Sequence, residues 1–447
     1  MKFRKFGRIS LALAVSLGTG LGVTSCSTDH TVGYLYVTGQ QYNQVSAFKI
    51  DNNLGNLTAT ENSPYSSGGA NPVKTLVANA GKFLYVLNAG CGGTGQAACS
   101  SATSSGNTGP NISLFTIGGK GSLSYQTAYT SQGNYPVSIQ TDSSGSHLFV
   151  LDSQDPNPAT DCVAYVSGNP ATICGDITSF NIDPNTGRLS LITNEQFKNP
   201  KTGVNLTYFP VGSGPINFVV VPSNSYIYTI EKGSGSSSDP SQGVFVYANS
   251  SGQLTLTQNT PIPTTALDLS FIYASTKYVY LIDATQDTTV NPAGTGQILP
   301  YTIGTNGALQ SLVGGAVQNP GTVANPGPMI VDHQGKFLYL ANQGPNLTAT
   351  SPASSVSAFF IDPTTGRLTT LSGGASGTSV VFGSGAEPQC IIEDPSNQYL
   401  YTANYDDSSI TGAVINSTTG TLTTLRKSTS FTGPGNPTWC AASGTLF

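Results

Sequence analysis

A short apolar motif returns seven times along this chain, and no other feature of the sequence narrows its fold so far. The copies begin at Tyr34, Phe83, His147, Tyr226, Tyr278, Phe337 and Tyr399, and the clearest reads Phe83-Leu-Tyr-Val-Leu-Asn88. Aromatic, β-branched and aliphatic residues with no Pro or Gly inside are how a strand buried on both faces reads. Before the motif stands a Pro-led apolar segment closed by a tight turn, as in Pro136–Gly145 or Pro328–Gly335. After it come a loop and an alternating strand such as Val45–Ile50 or Val356–Ile361. A turn follows, as in Asp183-Pro-Asn-Thr-Gly-Arg-Leu189, Asp362–Leu368 or Asn416–Leu422, and then a last polar strand.

Four strands in up-and-down order form one blade of a β-propeller. With the strands named A to D from the channel outward, the B, C and D segments each occur seven times. The A-to-B turns occur only six times, near Ala80, Ser144, Ser223, Ser275, Gln334 and Ser396. The chain therefore enters at a strand B, and Pro437–Ser443 supplies the seventh strand A to the first blade. Pairing the two chain ends closes the ring and removes exposed edges. The expectation is an all-β, seven-bladed propeller of four-stranded antiparallel blades over 34–447.

The N-terminus predicts export. A basic start, Met1–Arg8, precedes an apolar small-residue run from Ile9 to Val23 and then Thr24-Ser25-Cys26. The run is shorter than the roughly 20 residues of a membrane span. The ending resembles the lipobox of bacterial lipoproteins, which implies cleavage after residue 25 and a lipid on Cys26. Residues 1–25 are then a signal peptide and 26–33 a tether. The expected place is the bacterial cell envelope, with the lipid as the only membrane attachment.

Charged residues make up 9% of the chain, and its net charge is −5. The chain lacks the basic patches that nucleic acid requires, so no nucleic-acid partner is expected. Six cysteines besides Cys26 form an even set in an exported chain and permit disulfides. Cys91–Cys99 and Cys162–Cys174 are the candidate pairs, each within one Gly/Ser/Asn/Pro-rich loop, while Cys390 and Cys440 stay unassigned. There is no CxxC, and His30, His147 and His333 lie far from the cysteines, which argues against zinc.

In this topology the B–C and D–A connections share one face and the short A–B and C–D turns the other. The long connections are 88–111, 152–176, 231–243, 283–297, 342–355 and 193–214, all on the first face. Rigid scaffolds presenting variable loops often bind there. The last residues of the B strands point toward it: Gly39, Asn88, Asp152, Glu231, Asp283, Asn342 and Asn404. Such a ring could hold a cation or sugar hydroxyls at the channel mouth, or simply cap strand ends. No cofactor is otherwise expected. An unidentified small molecule, glycan or protein is the expected partner of this face, and a monomer the expected state.

The Tyr/Phe-Leu-Tyr-Val-x-Asn motif, the Asp-Pro-x-Thr-Gly-x-Leu turn and the seven copies together resemble the bacterial lactonase family of seven-bladed propellers. That family includes 6-phosphogluconolactonase-like enzymes and overlaps the YVTN-repeat propellers. The resemblance implies a site of His, Arg and Glu at the channel mouth. The matching stretch runs from Gly214-Pro215-Ile216-Asn217 to Glu231. Ile216 stands where Arg is implied and Asn217 where His is. The earlier His maps to Tyr135–Gln140, which has none. By this mapping only Glu231 remains as a catalytic candidate, and the site holds no cation for a phosphate. His147 and His333 fall at the opposite face. Two readings follow: a binding or interaction module with an eroded lactonase site, or an active lactonase rearranged around Glu231.

Overall fold

The computed structural model describes residues 30–91, 109–156, 174–199, 201–231, 243–257, 262, 264–285, 295–320, 325–344, 354–373, 378–379 and 381–444. Seven antiparallel sheets succeed one another along the chain, and each is built on one copy of the motif as strand B. Residues Thr31–Gly39 form strand B of blade 1, starting three residues before the expected position. The C-terminal Pro437–Gly444 pairs with it antiparallel and completes that blade as its strand A. The other inner strands are Pro72–Ala78, Asn134–Thr141, Pro215–Val220, Leu269–Ala274, Pro326–Val331 and Pro388–Glu393 for blades 2 to 7. Each packs on the next, and the last packs on Pro437–Gly444, so the ring closes on itself.

The two sequence repeats turn out to be halves of one device. The second aromatic of the motif donates its hydroxyl to the carbonyl of the glycine that closes the C–D turn of the following blade. The pairs are Tyr36–Gly121, Tyr85–Gly187, Tyr228–Gly307, Tyr280–Gly366, Tyr339–Gly420 and Tyr401–Gly55. These glycines hold φ near +70°, where a side chain is strained. Their missing Cβ is also where the motif's first aromatic lies, as Phe337 does against Gly420. Tyr401 to Gly55 joins the last blade to the first. Blade 3 departs from the pattern, with His147 and Phe149 in place of the two aromatics.

The outer strands differ from expectation. A single polar strand D was predicted, yet in blades 1, 3, 5, 6 and 7 two short pieces pair with strand C, as Leu57–Ala59 and Tyr65–Ser66 do. Strand D has one neighbour in its sheet and an exposed far side, so a break there leaves few groups unpaired. Strand C is held along both edges and stays continuous.

Cys390 and Cys440 form a disulfide with Cα atoms 5.8 Å apart. It ties the inner strand of blade 7 to the closing strand of blade 1. Cys91 and Cys174 are also disulfide-bonded. Their expected partners Cys99 and Cys162 lie outside the described residues, as do Cys26 and most of the B–C loops.

Candidate functional site

The inner strands all begin with the same irregularity. In six blades the first residue pairs with the last residue of strand B, as Pro72 with Asn88 and Pro215 with Glu231, and in blade 3 the matching pair is Pro136 with Asp152, two residues inside the strands; an extra residue then bulges out and pairing resumes. All seven blades carry one extra residue on strand A here; in blade 6 Gly327 and Pro328 together face Ala341. A bulge re-aims the side chains beside it. The bulged residues Val73, Val137, Ile216, Ser270, Gln389 and Thr438 are half-buried at the loop-face end of the channel.

The residue after the bulge carries the chemistry. In blade 2 it is Lys74. Its Nζ donates to Ser138 Oγ of blade 3 at 2.7 Å and lies 3.4 Å from Asn217 Oδ1 of blade 4. It also sits 4.3 Å from the ring centroid of Trp439 of blade 1. An ammonium within reach of the inner strands of three other blades can only stand inside the central channel. Trp439 stacks in turn on Phe271 of blade 5, with centroids 6.3 Å apart. Lys74 is only 7% exposed, and this burial lowers its ammonium to about 7. No carboxylate is among these contacts. The cation is held by a hydroxyl, an amide oxygen and an indole face.

The mapping from sequence found no cation at this site, and Lys74 corrects that. The signal was present. Across the seven inner strands the only charged residues are Lys74 and Glu393, which lie at opposite ends of the channel. Reading those strands for charge, rather than for the family's His and Arg, identifies both.

The B-strand ends sit differently from the expected open ring. Asn88, Asp152, Glu231, Asp283, Asn342 and Asn404 are all fully buried. Most bolt the incoming D–A crossover to their blade. Asn88 Nδ2 donates to Ser67 O, Asp152 Oδ1 accepts from Ser131 Oγ, and Asp283 Oδ1 accepts from Asp268 N. Asn342 accepts from Asn319, while Asn404 donates to Ser409 and Thr411. Glu231 Oε1 accepts from Gly212 N at 2.9 Å and from Thr229 Oγ1 at 3.2 Å. A Cβ on Gly212 would overlap the Glu231 carboxyl. Burial pushes Glu231 and Asp176 well above the usual carboxylate range and Asp152 up to about 8. Glu231 is thus a fully buried acid tied to the backbone of the D–A crossover. Among the described residues no three His, Cys, Asp or Glu side chains form a metal-holding group.

The rim of the mouth adds one titratable pair. Glu387 precedes strand A of blade 7 with φ of 57°, a left-handed conformation unusual for Glu. Burial and hydrogen bonding to Asp406 raise its carboxyl to about 7. Tyr135 takes the same left-handed conformation at the second residue of strand A of blade 3. His147 pairs with Asp142, Nδ1 to Oδ2 at 2.7 Å, in the blade 3 A–B turn, away from the site as expected.

A family model described as lactonase, 7-bladed beta-propeller, matches residues 27–172 and 288–439. No curated protein matches the sequence. Among solved structures, a candidate 6-phosphogluconolactonase from Bacteroides fragilis shares 17% identity over 93% of this chain and 99% of its own, with a TM-score of 0.62. The periplasmic gluconolactonase of Pseudomonas aeruginosa shares 16% over 93% and 99%, also at 0.62. A Lactobacillus plantarum protein shares 15% over 92% and 99%, at 0.60.

Proposed function

The chain belongs to the family of seven-bladed β-propeller lactonases, and from that membership and the chemistry of its channel we propose that it binds a sugar acid or its lactone at Lys74, outside the cytoplasm. The observation that carries this reading is the buried ammonium of Lys74, held in the channel by Ser138 and Asn217 without a carboxylate partner. An anionic ligand oxygen would restore its full charge and gain a charge-assisted hydrogen bond in a site of low dielectric. Trp439 and Phe271 offer the flat apolar surface on which a sugar ring packs. The Cys390–Cys440 disulfide and the signal-like N-terminus ending at Cys26 support a place in the cell envelope. Loss of the implied Arg and His to Ile216 and Asn217, with Glu231 buried, favours binding over turnover by the family's usual groups.

A second reading, turnover by other groups, draws on one observation. Lys74 and Glu387 both titrate near neutrality, as a general base and acid must.

The test is hydrolysis and binding of a panel of aldonolactones, 6-phosphogluconolactone included, by wild type, Lys74→Met and Glu231→Gln. The binding reading expects wild type to bind without turnover and Lys74→Met to lose binding. Hydrolysis lost on Lys74→Met would select the second reading. Hydrolysis that survives Lys74→Met and disappears in Glu231→Gln would overturn both.

A further inference from the structure

The opposite end of the channel holds the other inner-strand charge. A cavity of about 500 Å³ opens there among the ends of the inner strands of blades 1, 2, 5, 6 and 7. Its walls are largely apolar, with Val77, Ile330 and Ile392 among them. Four polar side chains line it from four different blades: Glu393 of blade 7, Tyr273 of blade 5, Ser443 of blade 1 and His333 of blade 6.

Glu393 is 4% exposed, and no Lys or Arg lines the cavity among the described residues. Its carboxylate accepts the His333 backbone N–H at 2.7 Å and the side-chain amide N–H of Asn397, and His333 Nδ1 lies 3.1 Å from it at the cavity's solvent side. The neighbouring carboxylates are committed elsewhere. Asp332 accepts the N–H groups of Lys336 and Phe337, and Asp394 those of Gln398 and Tyr399, each closing its own turn. Ser443 is 4% exposed, and its Oγ, which lies beside the Tyr36 hydroxyl, makes no hydrogen bond of good geometry. Buried polar atoms are normally paired, so an orphan in a cavity wall marks a place where a ligand atom fits.

We propose that this cavity is a second binding site, and that it takes a small organic ammonium ion with an apolar body. A primary ammonium carries three N–H donors and no acceptor. The cavity offers a carboxylate, a serine oxygen and a phenol oxygen, with an aromatic ring and aliphatic walls for the remainder. An anionic ligand would meet Glu393 with no Lys or Arg among the described lining residues to oppose it, so the site discriminates by charge as well as by shape. Burial and the neighbouring Asp332 and Asp394 raise Glu393 to about 8, and a bound ammonium would reverse that shift.

The experiment is calorimetric titration of the full protein with phenethylammonium chloride and, separately, with the neutral isostere 2-phenylethanol. Wild type is expected to bind the ammonium with a Kd on the order of 1 mM or tighter. The alcohol is expected to bind about tenfold more weakly or not at all. Glu393→Gln keeps the shape of the side chain and is expected to weaken the ammonium about tenfold while leaving the alcohol unchanged. Equal binding of the two probes to wild type, or no saturable binding of the ammonium, overturns the proposal without any variant. Undiminished ammonium binding in a folded Glu393→Gln protein overturns it as well.

Discussion

Lys74 Nζ lies 2.7 Å from Ser138 Oγ, and this contact crosses from the second blade to the third inside the channel. A buried lysine with no acidic partner is a stability cost carried for another purpose. Lys74→Met keeps the length and apolar stem and removes the charge. It is expected to leave the melting temperature unchanged or raise it by a few degrees, an amount equivalent to roughly 1 kcal/mol. Thermal unfolding followed by circular dichroism checks this, and a large loss of stability would show that Lys74 serves the fold.

The amine itself should be unusually reactive. Because burial lowers it to about 7, Lys74 is mostly neutral at pH 8, whereas surface lysines remain charged. Reductive methylation run as a pH series from 6 to 10 and read by peptide mass spectrometry is expected to modify Lys74 at a rate that stops rising with pH above about 8. A rate that keeps climbing to pH 10 would place its titration with that of ordinary lysines.

The tyrosine-to-glycine bonds between blades make a stability prediction. Tyr339→Phe removes the hydroxyl that Gly420 O accepts and is expected to cost about 1 kcal/mol. Gly420→Ala adds a Cβ against Phe337 at φ of 72° and is expected to cost more. The double variant should cost less than the sum, because one contact is lost twice. Urea unfolding of the four proteins measures the coupling.

The Cys390–Cys440 bond spans 50 residues that include most of blade 7. Replacing both cysteines by serine is expected to destabilise the protein by about 4 kcal/mol in the chain-entropy account. Removal of Pro437–Gly444 is expected to abolish cooperative folding, since blade 1 then lacks its strand A. Retention of a sharp melt after that truncation would contradict ring closure by the C-terminus.

Stability should fall as pH rises from 5 to 7. Asp152 and Glu393 are raised to about 8, and Asp176 and Glu231 lie well above their usual range, in each case chiefly through burial. A carboxyl raised on folding leaves the folded state unpenalised below its unfolded value near 4, and the penalty grows as pH climbs toward the folded value. Lys74, lowered on folding, acts in the opposite sense, but only above about pH 7. Melting temperatures are therefore expected to decrease from pH 5 to 7, and Asp152→Asn should flatten that slope. An increase over the same interval would mean that these carboxyls are ionised in the folded protein.

The fold was legible because its period is written in large buried side chains. Tyr85, Tyr280 and Tyr339 recur since each must fill a gap between blades and reach a glycine beyond it. The missing seventh A–B turn was enough to assign Pro437–Ser443 to blade 1, where the strand runs one residue further to Gly444. The split outer strands were not legible, because exposed polar residues such as those between Ala59 and Tyr65 carry no packing signature. The site was harder still. Asn88 and Glu231 mark strand ends correctly and Asp152 stands two residues short of one, but nothing in the sequence pattern tells whether such a side chain turns to the channel or to the crossover. Lys74 was visible as an isolated charge in Pro72–Ala78, but its neighbours Ser138, Asn217 and Trp439 come from distant repeats.

Ligand binding in the channel stands or falls on Lys74 as the anchor. Calorimetric titration of D-gluconate into wild type, Lys74→Met and Glu231→Gln tests it most directly. Saturable one-to-one binding by wild type and Glu231→Gln, weakened at least about tenfold in a folded Lys74→Met protein, is the predicted result. Equal affinity of wild type and Lys74→Met, or loss of binding in Glu231→Gln alone, would contradict it.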